Sequence, residues 1–160
     1  MNIRHFRQRG VTIVESLVAL VVIAVGMLGI AGLYLSSMQA SRSAKLRSHA
    51  VELASSIADR IRANREAVTS YNLAADGTPA KQDCDTKLCN AAQLAQDDLA
   101  RWLVDIRDTL PGADAVLGTV AVTDNAAPAT DNYVITVGWR EANSDIDFSY
   151  SVSLNIANPT

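Results

Sequence analysis

The feature that most constrains this chain is a long run of uncharged, mostly apolar residues near its N-terminus. The run covers 19 residues, positions 17–35, with the sequence LVALVVIAVGMLGIAGLYL. An α-helix rises 1.5 Å per residue, so this run would be roughly 28 Å long, close to the ~30 Å hydrocarbon core of a bilayer. Because no comparable run follows position 35, we predict a single membrane-spanning helix over residues 11–35.

The residues before this helix are basic. Residues 1–10 (MNIRHFRQRG) contain Arg4, Arg7 and Arg9 and no acidic residue. Positive residues beside a membrane helix tend to stay in the cytoplasm, so we expect the rest of the chain to cross the membrane. A secretory signal peptide has an apolar core of about 7–15 residues. Since the run here is longer, we expect the helix to be retained.

One acidic residue, Glu15, lies at the start of the apolar stretch. A carboxylate in a membrane helix costs about 2.5–3.5 kcal/mol at the helix centre and less near the interface, so such a residue is usually paired or functional. Cleavage after Gly10 would give Val11 a free α-amino group. Val11 and Glu15 are four residues apart and share a helix face, so Glu15 could meet its own amine or that of a neighbouring subunit.

The N-terminal sequence RQRG-VTIVES resembles the class III signal of type IV prepilins. That signal has a short basic leader, Gly, an aromatic or apolar residue, Thr, two apolar residues and Glu. Gly10, Thr12 and Glu15 match it, whereas Val11 stands where the family most often has Phe or Met. The resemblance implies that a prepilin peptidase cuts between Gly10 and Val11 and that its N-methyltransferase activity modifies Val11.

Later segments are similar to the PilV family of minor pilins, the type IV pilus modification proteins. The similar segments are residues 28–32 (LGIAG), 57–64 (IADRIRAN) and 93–102 (QLAQDDLARW). This resemblance implies a structural subunit that helps to prime pilus assembly or forms part of the tip complex, supporting adhesion and twitching motility. The implied location is the bacterial inner membrane, with the N-terminus cytoplasmic and the head periplasmic, and then the pilus.

The same resemblance implies a set of protein partners. They are other minor pilins, the major pilin, prepilin peptidase, the inner-membrane assembly platform and a large tip adhesin. A minor pseudopilin of a type II secretion system shares the leader, helix and small head, and is the alternative. Removing the leader changes the formal net charge from -3 to -6, which argues against nucleic-acid binding and a DNA-uptake pseudopilin.

Residues 36–68 continue with helical periodicity. Apolar residues recur at spacings of three and four, at Leu46, Ala50, Leu53, Ile57 and Ile61. A one-sided stripe of this kind is typical of a helix packed on another element. We expect one continuous helix from the membrane into a head that spans residues 36–160. A coiled-coil stem is the competing interpretation, but the pattern lasts for too few heptads.

Residues 69–90 are predicted to form a loop that contains both cysteines of the chain, Cys84 and Cys89. The chain has no second Cys pair and no His cluster, which disfavours a metal site here. A periplasmic segment allows thiols to oxidise. We therefore predict a structural Cys84–Cys89 disulfide, worth roughly 2 kcal/mol for a loop of this size.

The remaining sequence predicts a short helix and three strands. Asn90-Ala-Ala-Gln93 has the form of a capping box and opens a helix over residues 91–109. The apolar face of this helix holds Ala95, Leu99, Leu103, Ile106 and Leu110, with Trp102 beside it. Alternating apolar and polar residues predict strands at about 116–123, 133–140 and 148–157 in an antiparallel meander. The predicted fold class is α+β, type IV pilin-like, with a long N-terminal helix packed on a small sheet.

Nothing in the sequence points to catalysis. The chain has no nucleophile elbow, no Gly-rich phosphate loop and no metal-ligand cluster. After leader removal, His49 would be the sole histidine. We therefore expect no enzyme activity and no cofactor or metal, and expect the chain to be a substrate of the peptidase.

Overall fold

A computed structural model describes residues 11–112, 118–123, 130–141 and 144–157, except for the side chain of Val68. The predicted leader, residues 1–10 with Gly10, lies outside these residues. The helices are α1 (Ile13–Ala63), a 3₁₀ helix (Arg65–Tyr71) and α2 (Ala91–Thr109). The strands are β1 (Thr119–Thr123), β2 (Thr130–Arg140) and β3 (Asp147–Ala157).

The chain divides into two compact units after Arg42. In the described part of the first unit, residues 11–42, every side chain is exposed. The second unit, the head, begins at Ser43 and holds all the buried residues that the structure describes. Residues 36–42, which the sequence analysis assigns to the head, bury no side chain.

The core of the head is built from the predicted faces of its helices. The apolar stripe of α1 is buried at Leu46, Ala50, Leu53, Ile57 and Ile61, and that of α2 at Ala95, Leu99, Leu103, Ile106 and, just beyond its end, Leu110. Trp102 is 1% exposed and donates its indole N–H to the carbonyl oxygen of Leu53 at 2.9 Å. This bond joins α2 to α1 inside the core, where an unpaired indole N–H would be costly.

The three strands form an antiparallel sheet in the order β1-β2-β3, as the meander predicted. In β2, Tyr133, Ile135, Val137 and Trp139 are buried and alternate with more exposed residues. β2 begins three residues earlier than predicted and β3 one residue earlier. The first predicted strand reaches residues 116 and 117, which lie outside the described part of the chain. Its described portion begins at Thr119.

Two segments differ from the predictions. α1 ends at Ala63, and a 3₁₀ helix occupies residues that we had assigned to its last turns. The change occurs at Asn64, whose backbone leaves helical geometry (φ -115°, ψ 60°) and whose side chain donates to the carbonyl oxygen of Ala91 at 2.8 Å. Within the predicted loop, Tyr71 and Leu73 are buried, and Leu73 forms a β-bridge with Val120. A single bridging residue leaves no alternating pattern in a sequence.

Candidate functional site

The start of α1 is stabilised by the residues of the predicted processing motif. The helix begins at Ile13, and the backbone N–H of Glu15 donates to Oγ1 of Thr12 at 3.3 Å. Thr12 is therefore the N-cap of α1, and its hydroxyl satisfies one of the amide groups that a helix start leaves unpaired. The sequence signal for this cap is Thr followed three residues later by Glu, which is the capping-box pattern. In the structure the Thr12 side chain makes its bond of that box.

Glu15 lies in the first turn of α1 and is exposed. Its negative charge is favourable there because the N-terminus of a helix carries a partial positive charge, worth about 0.3–1 kcal/mol at an exposed site. Val11, two residues before the helix, is 70% exposed. In the uncleaved chain the nitrogen of Val11 is an uncharged amide, so a charged pair with Glu15 requires cleavage after Gly10.

The apolar residues that follow Glu15 have no protein around them in this chain. Leu17, Leu28 and Leu33 are 56%, 74% and 74% exposed. α1 is the one described helix that is long and apolar enough to cross a membrane. Burial of apolar surface is worth about 25 cal/mol per Å², so this segment needs lipid or other apolar helices around it.

A polar cluster in the head joins the end of α1 to α2. The hydroxyl of Tyr71, which is fully buried, donates to Oδ2 of Asp98 at 2.7 Å, and Arg60 donates to Oδ1 of the same carboxylate at 3.2 Å. Burial and the bond to Asp98 raise the pKa of Tyr71 far above its ordinary value. The phenol therefore stays protonated and serves as a hydrogen-bond donor. Residues so distant in sequence leave no spacing signal, and we did not predict this cluster.

The predicted disulfide between Cys84 and Cys89 is present, with the two Cα atoms 5.5 Å apart. α2 holds the segment that contains it. Asp97, which is 2% exposed, accepts from the backbone N–H of Gln82 at 3.0 Å and from Nε of Arg101 at 2.7 Å. Arg101 also donates to Asp85 at 2.7 Å. The disulfide loop is thus fixed to α2 by a charged network that includes a buried carboxylate.

The polar side chains of the head mainly pair with one another. On α1, a guanidinium nitrogen of Arg62 lies 2.6 Å from Oδ1 of Asp59, and Nδ1 of His49 lies 3.7 Å from Oε2 of Glu52. Within the described ranges, no three His, Cys, Asp or Glu side chains are grouped as metal ligands would be. The candidate functional site is therefore the start of α1, where a carboxylate without a charged partner among the described residues precedes an apolar surface that needs apolar surroundings.

Comparison with protein families gives two matches. Residues 5–31 match the prokaryotic N-terminal methylation motif, and residues 32–100 match the family model of the type IV pilin Tt1218. The first range contains Gly10, Val11 and Glu15, and the second contains the disulfide loop and the first half of α2. Neither range reaches the three strands. No curated protein and no solved structure matches the chain.

Proposed function

We propose that this chain, which matches the N-terminal methylation motif over residues 5–31 and the family model of the type IV pilin Tt1218 over residues 32–100, is a minor pilin of the PilV type. In this role it is a structural subunit that helps to prime pilus assembly or forms part of the tip complex, supporting adhesion and twitching motility. The observation that carries the proposal is the exposed apolar segment after Glu15, with that single carboxylate at its start.

The first step is processing. Prepilin peptidase cuts between Gly10 and Val11, and its N-methyltransferase activity methylates Val11. Cleavage removes three arginines and converts the amide nitrogen of Val11 into an amine that is cationic at neutral pH. This reaction supplies the positive partner that Glu15 lacks in the precursor.

The second step is storage of the subunit in the inner membrane. The N-terminus faces the cytoplasm and the head faces the periplasm, where the Cys84–Cys89 disulfide is stable. Residues 11–35 form the membrane-spanning segment and later the filament core. Glu15 lies near the end of the helix, where the cost of a carboxylate in a membrane is lowest.

The third step is extraction into a filament. The same apolar side chains that contact lipid pack against neighbouring helices, so extraction does not expose them to water. Glu15 then meets the amine of Val11 on an adjacent subunit. A buried charge whose partner is missing costs about 3–5 kcal/mol, so a subunit in the wrong register is penalised.

The experiment replaces Glu15 in the full-length protein in its native host. We expect Glu15→Ala and the isosteric Glu15→Gln to be cleaved after Gly10, because the cut lies outside α1. We expect less than about a tenth of the wild-type amount in sheared pili, which corresponds to a loss of more than about 1.4 kcal/mol. Mass spectrometry measures both the mature N-terminus and the amount relative to the major pilin.

The matched control is Glu52→Ala, which removes an exposed carboxylate from the head. This variant should enter pili at the wild-type level. Normal pilus number and composition in both Glu15 variants would refute the proposed role of the carboxylate. Recovery of the wild-type chain with secretion pseudopilins, rather than with pilus subunits, would instead favour the secretion alternative.

A further inference from the structure

The two edges of the sheet differ in how the head covers them. At the β1 edge, Leu73 and Val120 exchange two backbone hydrogen bonds of 2.8 and 3.0 Å, and the side chain of Asn72 accepts from the backbone N–H of Val122 at 3.4 Å. β3 pairs with β2 along its whole length and with no other strand of the described chain. Backbone groups on the outer side of β3 are therefore available for pairing.

The β3 edge also lacks the features that usually prevent pairing. The strand has 11 residues, its register with β2 runs without a bulge from Asp147 to Ala157, and it contains no proline. Its single charged residue, Asp147, is engaged by Arg140 at 2.6 Å. The side chains on its polar face are small and uncharged, at Ser149, Ser151, Ser153 and Asn155. Natural proteins protect an exposed edge with lysines, prolines or bulges, so an edge of this kind suits strand addition.

The inner face of the sheet is incompletely covered at the same edge. In three successive cross-strand pairs, the β2 side chain is buried and the β3 side chain is half-buried: Trp139 with Phe148, Val137 with Tyr150, and Ile135 with Val152. Farther along β3, Leu154 and Ile156 are buried. The residues that pack on the inner face of the sheet thus leave the first half of β3 partly exposed.

A cleft of about 280 Å³ lies between α1 and this part of the sheet. Its lining consists of Arg47 and Val51 from α1 and Trp139, Phe148, Ser149 and Tyr150 from the strands. Val51 is 40% exposed, although it faces an aromatic surface. The indole N–H of Trp139 is buried without an acceptor in the described part of the chain. The cleft therefore combines apolar walls and one cation.

We propose that the β3 edge binds an extended segment of another protein, which adds to the sheet as a fourth strand. Its backbone pairs with β3, an apolar side chain enters the cleft, and a carboxylate contacts Arg47. In strand addition, backbone hydrogen bonds provide affinity and pockets for alternate side chains provide specificity. This interaction lies in the head and is distinct from the proposed role of Glu15.

The positive charge of the cleft indicates that the segment bound at the β3 edge comes from a different chain and carries an acidic residue. Arg47 is the charged residue of the cleft, and no salt bridge engages it within the described ranges. A second copy of β3 would offer only Asp147, which Arg140 already holds. A partner strand in which apolar and polar residues alternate, and which carries an acidic residue, would pair with the backbone of β3 and neutralise Arg47.

The test uses the full-length protein in detergent micelles and a synthetic nine-residue peptide. The peptide alternates threonine with valine and leucine and carries one aspartate at its N-terminal end. Amide hydrogen exchange is followed by NMR. We expect every second amide of β3 to exchange about tenfold more slowly with the peptide, while the amides of α2 do not change. A peptide with proline at its central positions lacks the necessary N–H groups and should have no effect.

A charge swap tests the contact with Arg47. Arg47→Glu should weaken binding of the aspartate peptide about fivefold, the upper range for an exposed ion pair, and a peptide with lysine in place of aspartate should recover it. Lys45→Glu makes the same charge change at an exposed position outside the cleft and should leave binding unchanged. The proposal is overturned if β3 exchange is unaffected, if consecutive amides slow together, or if β3 becomes protected without peptide as the protein concentration rises, which would identify a second copy as the occupant.

Discussion

Arg140 and Asp147 close the loop end of the β2–β3 hairpin as cross-strand partners. Nε of Arg140 donates to Oδ1 of Asp147 at 2.6 Å. This hydrogen bond and the positive charge lower the pKa of Asp147, and the same contact raises the pKa of Arg140. Both side chains are substantially exposed, so solvent screens the pair and its contribution to stability is small.

The direction of this shift predicts a pH dependence. The pKa of Asp147 is lower in the folded state than in the unfolded state, so the pair stabilises the head at pH values above the pKa that Asp147 has in the unfolded chain. This stabilisation is lost as the pH falls through the pKa that Asp147 has in the folded chain. We expect Arg140→Gln to raise the pKa of Asp147 toward its ordinary value in an NMR titration of the carboxyl carbon. Lys45→Gln removes a cation elsewhere and should not, and an equal shift in both variants would contradict the pairing.

At the scale of elements, the disulfide loop and α2 form one structural unit. The disulfide closes a short loop. Asp97 on α2 accepts a hydrogen bond from the backbone N–H of Gln82, and Arg101 on α2 donates one to Asp85, so the segment is also joined to α2 by noncovalent bonds. The covalent bond restricts the unfolded chain, whereas the charged network acts in the folded state. The two contributions can therefore be separated experimentally.

Replacing both cysteines by serine should lower the free energy of unfolding by roughly 2 kcal/mol, as expected for a loop of this length. Urea unfolding of the full-length protein in detergent measures the change. Because the bonds to α2 remain, the amide of Gln82 should stay protected from exchange in the variant. Wild-type protein treated with a reductant is the control and should match the double variant. An unchanged unfolding midpoint would show that the disulfide is not a stabilising link.

At the scale of the whole molecule, the buried core and the exposed apolar surface lie in different parts of the chain. Every buried side chain in the described residues lies at or after Leu46, and every side chain of residues 11–42 is exposed. The head therefore has its own apolar core, whereas the N-terminal segment has its apolar surface available for lipid or for other helices.

This separation predicts that a chain beginning at residue 36 folds without detergent. Its free energy of unfolding should lie within about 0.5 kcal/mol of the full-length value, because the deleted residues contribute no core contacts. Chemical unfolding followed by circular dichroism measures this. A chain beginning at residue 54 is the matched control and should fail to fold, since it lacks Leu46, Ala50 and Leu53 with the carbonyl that Trp102 uses. Failure of the longer variant would show that the head needs its N-terminal segment.

The sequence by itself determined those features that depend on residues close together in the chain. The apolar run is contiguous, and the stripe of α1, the capping box at Asn90 and the alternation in β2 and β3 each arise from spacings of two to four residues. Helix and strand geometry set these spacings. The short loop between Cys84 and Cys89 is local in the same sense. The α+β fold and the confirmed meander follow because short connections leave few ways to pair three strands.

Only the tertiary structure decided which distant residues meet. Tyr71 and Asp98 are 27 positions apart and Trp102 and Leu53 are 49 apart, and neither pair has a spacing that predicts contact. The partial exposure of the first half of β3 was likewise not predictable from spacing. α1 and the sheet are distant in sequence, and only their packing determines which side chains of β3 are buried. Local spacing specifies the conformation of a segment. Periodicity indicates which face of a segment is buried. Which residues of another segment that face contacts depends on packing in three dimensions.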